Sequence, residues 1–410
     1  ALSRIPGLRL VADTADAVLA WTLRREGDSL SLAVELRRGG TGARPWDREF
    51  PLSAPGALAV EGQVVGDVVR QLRPGVVDSI GLRQLHRTTT NADAYLLYLQ
   101  ARFYLSRRTP ESIARARGLF TQAIERDPVY AAAYAGLGYS YGALAYYGVM
   151  PSREAFPLLE AAAHRALQID STVGSAHTLL AVATSGYHWR WAAAESGFRH
   201  AIELGPNEPE SHNNFGVYLW TLGRFDEAET EMQRAAELDP LNRHYVFQLG
   251  RVLACAGRSA DAAAQFTKQL ALDSVYGAAH YELAKALASQ GHYDAAINEI
   301  STAARQWGDT AFARRIHGNR GRAGYAAARL LEATLALDVL RTRAQREFVP
   351  PVSFADAYMQ LGQREEAMAW LQRAFVDRDV SLPLVNCRPE YVPLRADPRF
   401  RELRRRMGLQ

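Results

Sequence analysis

The sequence predicts a mainly α-helical solenoid of stacked helical hairpins, preceded by a small α/β domain. Three segments, which end at Pro206, Pro240 and Ser274, align with one another at intervals of 34 residues, and a fourth ends 34 residues further on, at Gly308. A repeat of this length is typical of helical hairpins that stack into a solenoid. The N-terminal region, residues 1–88, instead alternates apolar and polar side chains between turn residues, which is typical of hairpin-linked strands.

The composition excludes a wholly disordered chain and argues against nucleic acid as a partner. The 410 residues are 48% hydrophobic and 22% charged, as in ordinary globular proteins. The net charge of +4 is small and opposite charges alternate, so no nucleic acid partner is expected. Arginine supplies nearly all of the basic charge, since Lys268 and Lys285 are the only lysines, and a basic binding surface stays open. Cys255 and Cys387 have no CxxC spacing, so they indicate neither a disulfide framework nor a zinc site.

The sequence shows no membrane-crossing or secretion segment. No apolar run approaches the roughly 18 residues that cross a bilayer. Residues 1–11 lack the basic and then apolar layout of a signal peptide. Because the chain begins at Ala1 rather than Met, we expect a processed or truncated product, with a membrane anchor or another domain upstream.

The N-terminal region predicts strands followed by one helix. Turn residues at 27–28 and 39–42 separate stretches of alternating polarity, as in consecutive hairpins. An apolar stretch over residues 56–72 predicts a helix. Thr90 or Asn91 is then the predicted N-cap of the first repeat helix.

Within the aligned units, small residues recur where two helices must touch, and bulky ones fill the space beside them. The small residues of the first helices are Gly216, Gly250, Ala284 and Gly318, and those of the second helices are Ala194, Ala228, Ala262 and Ala296. Four positions after these alanines stand Phe198, Met232, Phe266 and Ile300. This spacing predicts one layer of core per repeat, on one face of each second helix.

The same pattern extends to about eight units over residues 92–378, of which the seventh is degenerate. In the second unit, Pro151 and Pro157 predict a lengthened turn and a helix restart. A third unit begins near Gly174. Residues 379–410 are predicted to cap the array, because the ends of a solenoid need an atypical cover. The residues predicted to cover the last repeat are Phe400, Leu403 and Met407.

The spacing, the small-residue positions and the closing DP or GP turns resemble the tetratricopeptide repeat (TPR) family over roughly residues 92–378. This resemblance implies a right-handed superhelical solenoid, with first helices lining a concave groove and second helices forming the outer face. The order of IPGLRLVADT, TGARPWDREF, TTTNADAYLLYLQARFYL and PLRADPRFRELRRRMGL also resembles a TolB-like N-terminal domain joined to TPR repeats in bacterial winged-helix regulators, serine/threonine kinases and nucleotide cyclases. The membrane-tethered members of that group imply an extracytoplasmic (periplasmic) position.

No catalytic, metal or cofactor site is expected. His177, His212 and His280 share one repeat position, so neighbouring ones should lie about 10 Å apart, too far for bonds of about 2 Å to one zinc ion. Glycine-rich stretches at Gly136 and Gly318 lack the preceding strand of a phosphate-binding loop. The sequence contains no common catalytic motif, and the chain is predicted not to be an enzyme.

The resemblance places positions 2, 5, 9 and 12 of each first helix in the groove, where aromatic and basic side chains are typical of a binding surface. The predicted partner-binding residues are Tyr95, Tyr98, Arg102, Tyr139, Asn213, Trp220, His244, Phe247, Arg251, Tyr281 and Lys285. For each tyrosine, packing between neighbouring repeats is an equal alternative. Arg251 and Lys285 share the ninth position one repeat apart and predict a basic ladder for a carboxylate or an acidic peptide.

The leading functional hypothesis is a non-catalytic scaffold that binds a peptide or protein in its concave groove, as the sensor or docking part of a larger regulatory protein. A second hypothesis makes the chain the regulatory segment of a membrane-tethered kinase or cyclase. A third makes it a structural subunit of a homo- or hetero-oligomeric complex.

Overall fold

The computed structural model describes residues 17–26, 29–38, 46–52, 64, 67–68, 89–239 and 242–409. Three antiparallel strands in the order β1-β2-β3 confirm the predicted hairpins. They are β1 (Ala17–Glu26), β2 (Ser29–Arg38) and β3 (Trp46–Leu52). Three predicted features lie wholly or mostly outside the described residues: the turns at 27–28 and 39–42, the helix over 56–72, and Pro240.

After the sheet, the described chain forms successive helical hairpins, which confirms the predicted TPR superhelical solenoid. By unit, the helices are α1 (Ala92–Ser106) and α2 (Pro110–Arg126), α3 (Ala131–Tyr146) and α4 (Ser152–Ile169), α5 (Gly174–Val182) and α6 (Trp191–Leu204), α7 (Pro209–Thr221) and α8 (Phe225–Leu238), α9 (Arg243–Cys255) and α10 (Ser259–Leu272), α11 (Gly277–Ser289) and α12 (Tyr293–Gln306), α13 (Thr310–Arg315) and α14 (Gly321–Ala344), and α15 (Pro351–Gln360) and α16 (Arg364–Asp377). A last helix, α17 (Pro398–Arg406), follows two short 3₁₀ turns. Within the described segments, no helix combines the length and the apolarity that crossing a bilayer requires.

The 34-residue register is confirmed in the middle of the chain. The first helices of three successive units begin at Pro209, Arg243 and Gly277, at intervals of 34 residues. The predicted alanines of the second helices are 0% exposed, and the bulky residues four positions later are at most 2% exposed. These buried residues are Ala194, Ala228, Ala262 and Ala296, followed by Phe198, Met232, Phe266 and Ile300. Each unit therefore contributes the expected layer of core.

Two of the predicted small residues allow close helix contact. A Cβ atom at Gly216 would lie 2.7 Å from Cγ of Met232, and one at Gly250 would lie 2.6 Å from Cε1 of Phe266. The same role predicted for Gly318 is wrong. Gly318 lies in a turn after α13 with φ at 91°, where an added Cβ would meet nothing within 4 Å. Glycine suits this position because the backbone is left-handed.

The second and seventh units depart from the simple hairpin. The lengthened turn and the helix restart predicted from Pro151 and Pro157 are found over residues 147–151, with α4 beginning directly after Pro151, but Pro157 lies inside α4. A proline ring keeps a helical φ, so the helix continues at the cost of one backbone hydrogen bond. In the seventh unit, predicted to be degenerate, α13 has only 6 residues and α14 has 24.

The predicted ends of the array are confirmed in detail. The side chain of Asn91 accepts a hydrogen bond from the backbone N–H of Ala94 at 3.0 Å and caps α1. At the other end, Phe400, Leu403 and Met407 are at most 4% exposed and share one apolar cluster with residues of α15 and α16. The C-terminal helix therefore covers the last hairpin.

The superhelix is wound tightly enough for its early and middle units to touch. Arg108, between α1 and α2, forms an ion pair of 2.6 Å with Glu210 of α7. Arg243 of α9 donates to the carbonyl oxygen of Arg107 at 3.0 Å. These contacts join residues more than 100 positions apart. They bring the first unit into contact with the fourth and fifth units.

Candidate functional site

After α16 the chain turns back across the first helices of several units. Residues 379–394 are termed the arm. The side-chain amide of Asn386 donates to the carbonyl oxygen of Thr221 at 3.1 Å, and the thiol of Cys387 donates to that of Trp220 at 2.9 Å. Both carbonyls belong to the last turn of α7. Because first helices line the inner surface of a TPR superhelix, the arm lies on the concave face.

The arm places a carboxylate on one of the predicted groove residues. The ammonium nitrogen of Lys285 lies 2.7 Å from Oε1 of Glu390 and 3.2 Å from Oε2 of Glu282. Burial by itself would raise the pKa of Glu390, but the charge of Lys285 lowers it to about 2. The pair is ionised at neutral pH. Lys285 on this face therefore binds a carboxylate carried by the second 3₁₀ turn of the arm.

Asp356 of α15 holds the arm to the last hairpin. One guanidinium nitrogen of Arg388 lies 3.0 and 2.9 Å from the two carboxylate oxygens of Asp356. The hydroxyl of Tyr391 donates to the same carboxylate at 2.5 Å. At the start of the arm, Asp379 accepts a hydrogen bond from the backbone N–H of Val352 at 3.0 Å. The arm is thus tied to first helices of the fourth, sixth and eighth units.

Arg251, the other member of the predicted basic ladder, has partners inside the fold. Its guanidinium donates to the hydroxyl of Tyr146 at 3.0 Å and lies 4.9 Å from the centroid of the Trp220 ring. Burial by itself would raise the pKa of Tyr146, but Arg251 lowers it below its ordinary value. Lys285 already holds Glu390 of the arm. A peptide could therefore bind to Arg251 and Lys285 together only after the arm has moved away.

A partly buried ion pair, between Arg108 and Glu210, joins the first unit to the fourth. Besides Glu210, the guanidinium of Arg108 donates to the hydroxyl of Tyr139 at 2.8 Å. Tyr245 donates to the other carboxylate oxygen of Glu210. Burial by itself would raise the pKa of Glu210, but the Arg108 charge and the tyrosine hydroxyls lower it to about 2. The side chain of Arg108 is only 8% exposed, so this charge is part of the core.

Three predicted groove residues line a partly open cavity of about 140 Å³ between α3, α7, α9 and the arm. They are Tyr139, Asn213 and His244. Asn213 is 3% exposed and His244 is 8% exposed. Burial lowers the pKa of His244 to about 3, and the charge of Arg108 adds to the effect. The imidazole is therefore neutral at pH 7.

Tyr95, Tyr98 and Arg102 lie on α1 in the first unit, and Arg102 is near enough to Tyr98, Tyr245 and Glu210 for these groups to raise its pKa. The ring of Tyr98 packs against Phe120 and Tyr130, with centroid distances of 5.8 and 5.2 Å. The guanidinium of Arg102 lies 5.9 Å from the Tyr98 ring, and its side chain is exposed. Of these three, Arg102 is the most available to a partner.

The remaining predicted residues are involved in packing. Trp220 is 1% exposed and Phe247 is 9% exposed, and both belong to the largest apolar cluster of the described chain. The hydroxyl of Tyr281 accepts a hydrogen bond from Arg329, and its ring lies 5.8 Å from that of Trp307. Partner binding by these three side chains stays a prediction.

The repeated histidines bond within their own repeats, as their period predicts. Nδ1 of His212 lies 2.6 Å from Glu231, and Nε2 lies 3.0 Å from the carbonyl oxygen of Pro206. His280 makes the same two contacts two repeats later, with Glu299 and the carbonyl of Ser274. The described residues contain no cluster of side chains that could hold a metal ion.

The sequence analysis missed both charged centres of this face. Glu210 occupies the second position of its unit, where His244 stands one repeat later, so the groove register could have found it. Arg108 lies between helices, at a residue with φ of 57°, and no repeat position indicates it. Glu390 lies in the segment that the sequence predicts to be a terminal cap. Nothing in its local sequence indicates Lys285 as its partner.

Acid is expected to destabilise the chain in a window set by His244. Its ordinary pKa of 6.5 falls to about 3 in the folded chain, so the unfolded chain takes up the proton first as the pH falls. The stability contributed by the neutral ring is full above about pH 6.5. It is lost at up to about 1.4 kcal/mol per pH unit on descending from there towards pH 3. Urea unfolding across this window should show the loss in the wild type and not in His244→Phe.

The matched control for this measurement is His200→Phe, because the side chain of His200 is 53% exposed. This variant should keep the wild-type dependence on pH. A His244→Phe protein that loses stability as steeply as the wild type between pH 6.5 and 4.5 would show that His244 is not buried as described.

The comparisons with known proteins agree with the repeat fold. Two tetratricopeptide repeat family models match, one to residues 190–243 and 213–276 and the other to residues 352–375. These stretches are TPR repeats. The transcriptional regulator HilA of Salmonella typhimurium is 26% identical over 148 residues, which make up 36% of this chain and 27% of HilA. The chain thus spans about a quarter of the length of the curated relatives it matches.

Solved structures of TPR proteins are similar over about half of the chain. YrrB, described as a TPR protein with an unusual peptide-binding site, is 23% identical and has a TM-score of 0.33, with 48% of this chain and 96% of YrrB covered. PilW, described as a type IV pilus biogenesis factor, is 17% identical and has a TM-score of 0.41, with 54% and 97% covered.

Proposed function

We propose that this chain is a non-catalytic scaffold that holds an acidic peptide or protein segment on its concave face, as the docking or sensing part of a larger regulatory protein. TPR repeats support protein interaction in general. The regulatory role is supported by the similarity to the transcriptional regulator HilA.

The observation that carries the proposal is the arm itself. It consists mainly of two short 3₁₀ turns, Leu382–Asn386 and Pro389–Leu394, and it lies across first helices with the carboxylate of Glu390 2.7 Å from the ammonium nitrogen of Lys285. A partner that offers a carboxylate could make the same charge-assisted contact, which is stronger than a neutral hydrogen bond. The arm and the partner then compete for one surface, and the scaffold binds its partner when the arm is displaced.

The predicted groove residues have separate roles in this proposal. Lys285 supplies the cation that recognises the carboxylate, and Arg251 lies behind the arm with its guanidinium over Trp220. Tyr95, Tyr98 and Arg102 provide an aromatic and basic surface at the first unit, where the exposed Phe103 and Leu99 extend it. A partner longer than the arm would reach both surfaces.

Two substitutions that break the same ion pair are expected to have opposite effects on binding. Glu390→Gln weakens the hold of the arm and leaves the groove cation, so it should increase binding. Lys285→Gln also weakens the arm but removes the cation, so it should decrease binding about tenfold or more relative to Glu390→Gln. The measurement is fluorescence anisotropy of a labelled peptide with the sequence of residues 380–394, added to each full-length variant.

A peptide in which the position of Glu390 carries glutamine is the matched probe, and it should bind all variants weakly. Equal binding of the natural peptide by the Glu390→Gln and Lys285→Gln proteins would show that Lys285 does not recognise a carboxylate. In co-purification from the source cells, a partner of this surface should bind more strongly to the Glu390→Gln protein than to the Lys285→Gln protein.

A further inference from the structure

The cavity behind the arm has walls that are mainly apolar. Leu159 and Leu179 line it from the second and third units, Phe198 and Tyr218 from the third and fourth, and Leu384 from the arm. The cavity has a volume of about 140 Å³. An apolar cavity of about 150 Å³ in another protein binds benzene. The space is therefore large enough for a small organic molecule.

Three polar atoms of residues that line the cavity have no hydrogen-bond partner in the structure, and one of them, Nε of Arg108, belongs to a guanidinium whose other nitrogens are paired. Oδ1 of Asn213 and Nδ1 of His244 are buried and make no hydrogen bond. Both residues line the cavity and are more than nine-tenths buried. A buried polar atom without a partner costs about 1–3 kcal/mol, and native proteins contain few of them. A ligand that satisfies both atoms would remove this cost.

The charges around the cavity favour a neutral ligand. Arg108, which also lines it, already pairs with Glu210 at 2.6 Å and with Tyr139 at 2.8 Å. His244 carries no charge at neutral pH, because burial lowers its pKa to about 3. An added charge would be desolvated without a counter-ion, at a cost of several kcal/mol.

The unpartnered atoms of Asn213 and His244 specify a hydroxyl group. Oδ1 of an asparagine amide accepts hydrogen bonds only, whereas Nδ1 of a neutral imidazole donates or accepts according to the tautomer. A hydroxyl can donate to the amide oxygen while its own oxygen accepts from the imidazole N–H. We propose that this cavity binds a small neutral alcohol or phenol of about one ring, with its hydroxyl on Asn213 and His244.

The site would also respond to the position of the arm. Val380, Pro383 and Leu384 supply part of the cavity wall. A molecule in the cavity would contact these side chains and hold the arm on the concave face. This coupling goes beyond the proposed scaffold function, since it would let a small molecule decide whether the partner surface is covered.

The test uses 4-fluorophenol and fluorobenzene as probes of the full chain, with binding followed by ¹⁹F NMR. The wild type should bind 4-fluorophenol in a saturable way and more tightly than fluorobenzene. Asn213→Leu and His244→Phe keep the side-chain size and remove the polar atoms. Each should weaken 4-fluorophenol binding about tenfold, by the loss of a buried hydrogen bond, and leave fluorobenzene binding unchanged.

Gln269→Leu is the matched control. Gln269 is 0% exposed and its amide also has no partner, but it lies on α10 and does not line the cavity. Its substitution should leave both probes unaffected, and circular dichroism should show that all variants are folded. A wild type that binds neither probe, or that binds both equally, would overturn the proposal and would indicate that ordered water fills the cavity. An equal loss of binding in Gln269→Leu would overturn it as well.

A second readout follows the arm through its cysteine. In a Cys255→Ala background, Cys387 is the only thiol, and it is 6% exposed beneath Trp220 and Thr221. Saturating 4-fluorophenol should slow the reaction of this thiol with a disulfide reagent several-fold, because labelling needs the arm to leave. An unchanged labelling rate at saturation would overturn the coupling between the cavity and the arm.

Discussion

Phe266→Ala is expected to destabilise the chain by about 3–5 kcal/mol, the range for removing a buried aromatic ring. Phe266 is 0% exposed, and its ring lies 5.8 Å from that of Phe247. A Cβ at Gly250 would already come within 2.6 Å of it, so the paired helix passes directly over the ring. The cavity left by alanine cannot close by side-chain movement alone. Urea unfolding followed by circular dichroism measures the loss.

The matched control is Phe103→Ala, because Phe103 is 55% exposed on α1. Its contact with Arg107, at 4.8 Å from the ring centroid, limits the expected loss to about 1 kcal/mol. A Phe266→Ala protein as stable as this control would contradict the described packing of α9 on α10. In a solenoid each unit contacts mainly its neighbours, so the damage should centre on the fifth unit.

The fold of the middle units could be predicted because their stability is local. A buried alanine such as Ala228 and a bulky residue four positions later, such as Met232, face the glycine of the preceding helix inside one hairpin. All the contacts that define the unit therefore fall within about 34 residues, which a sequence period can show. This local pattern is missing around Gly318. There the 34-residue period predicted a helix contact, but the glycine lies in a turn.

The charged contacts of the concave face could not be predicted in the same way. Arg108 and Glu210 are 102 residues apart, and Arg251 and Tyr146 are 105 residues apart. Such pairs form only when the superhelix has a particular pitch, which depends on small angles summed over several units. The repeat register correctly placed Lys285 on the first helix of its unit, but it could not identify Glu390 as the partner of Lys285.

Glu210→Ala is expected to cost about 3–5 kcal/mol, because it leaves the buried guanidinium of Arg108 without its carboxylate partner. Arg108, with 8% of its side chain exposed, would keep its charge without a counter-ion. The hydroxyl of Tyr245 would also lose its acceptor. Because the pair joins α7 to the first unit, the variant should release that unit, and hydrogen exchange should rise first in α1 and α2.

The control for Glu210→Ala is Glu402→Ala, which breaks the pair between Glu402 and Arg405 on α17. These side chains are 49% and 75% exposed, so the loss of stability should be far smaller than that of Glu210→Ala. Similar losses from the two substitutions would show that the Arg108 pair is not buried as described.

The response to pH separates Glu210 from its neighbour His244. The ordinary pKa of Glu210, 4.5, falls to about 2 in the folded chain, so protonation favours the unfolded chain. Its contribution is full above pH 4.5 and is lost as the pH falls towards 2, a window mostly below that in which His244 first acts. Glu210→Gln should therefore flatten the stability curve below pH 4.5, and His244→Phe should flatten it mainly above. Two groups of one buried cluster can thus be assigned separately, although both sense the charge of Arg108.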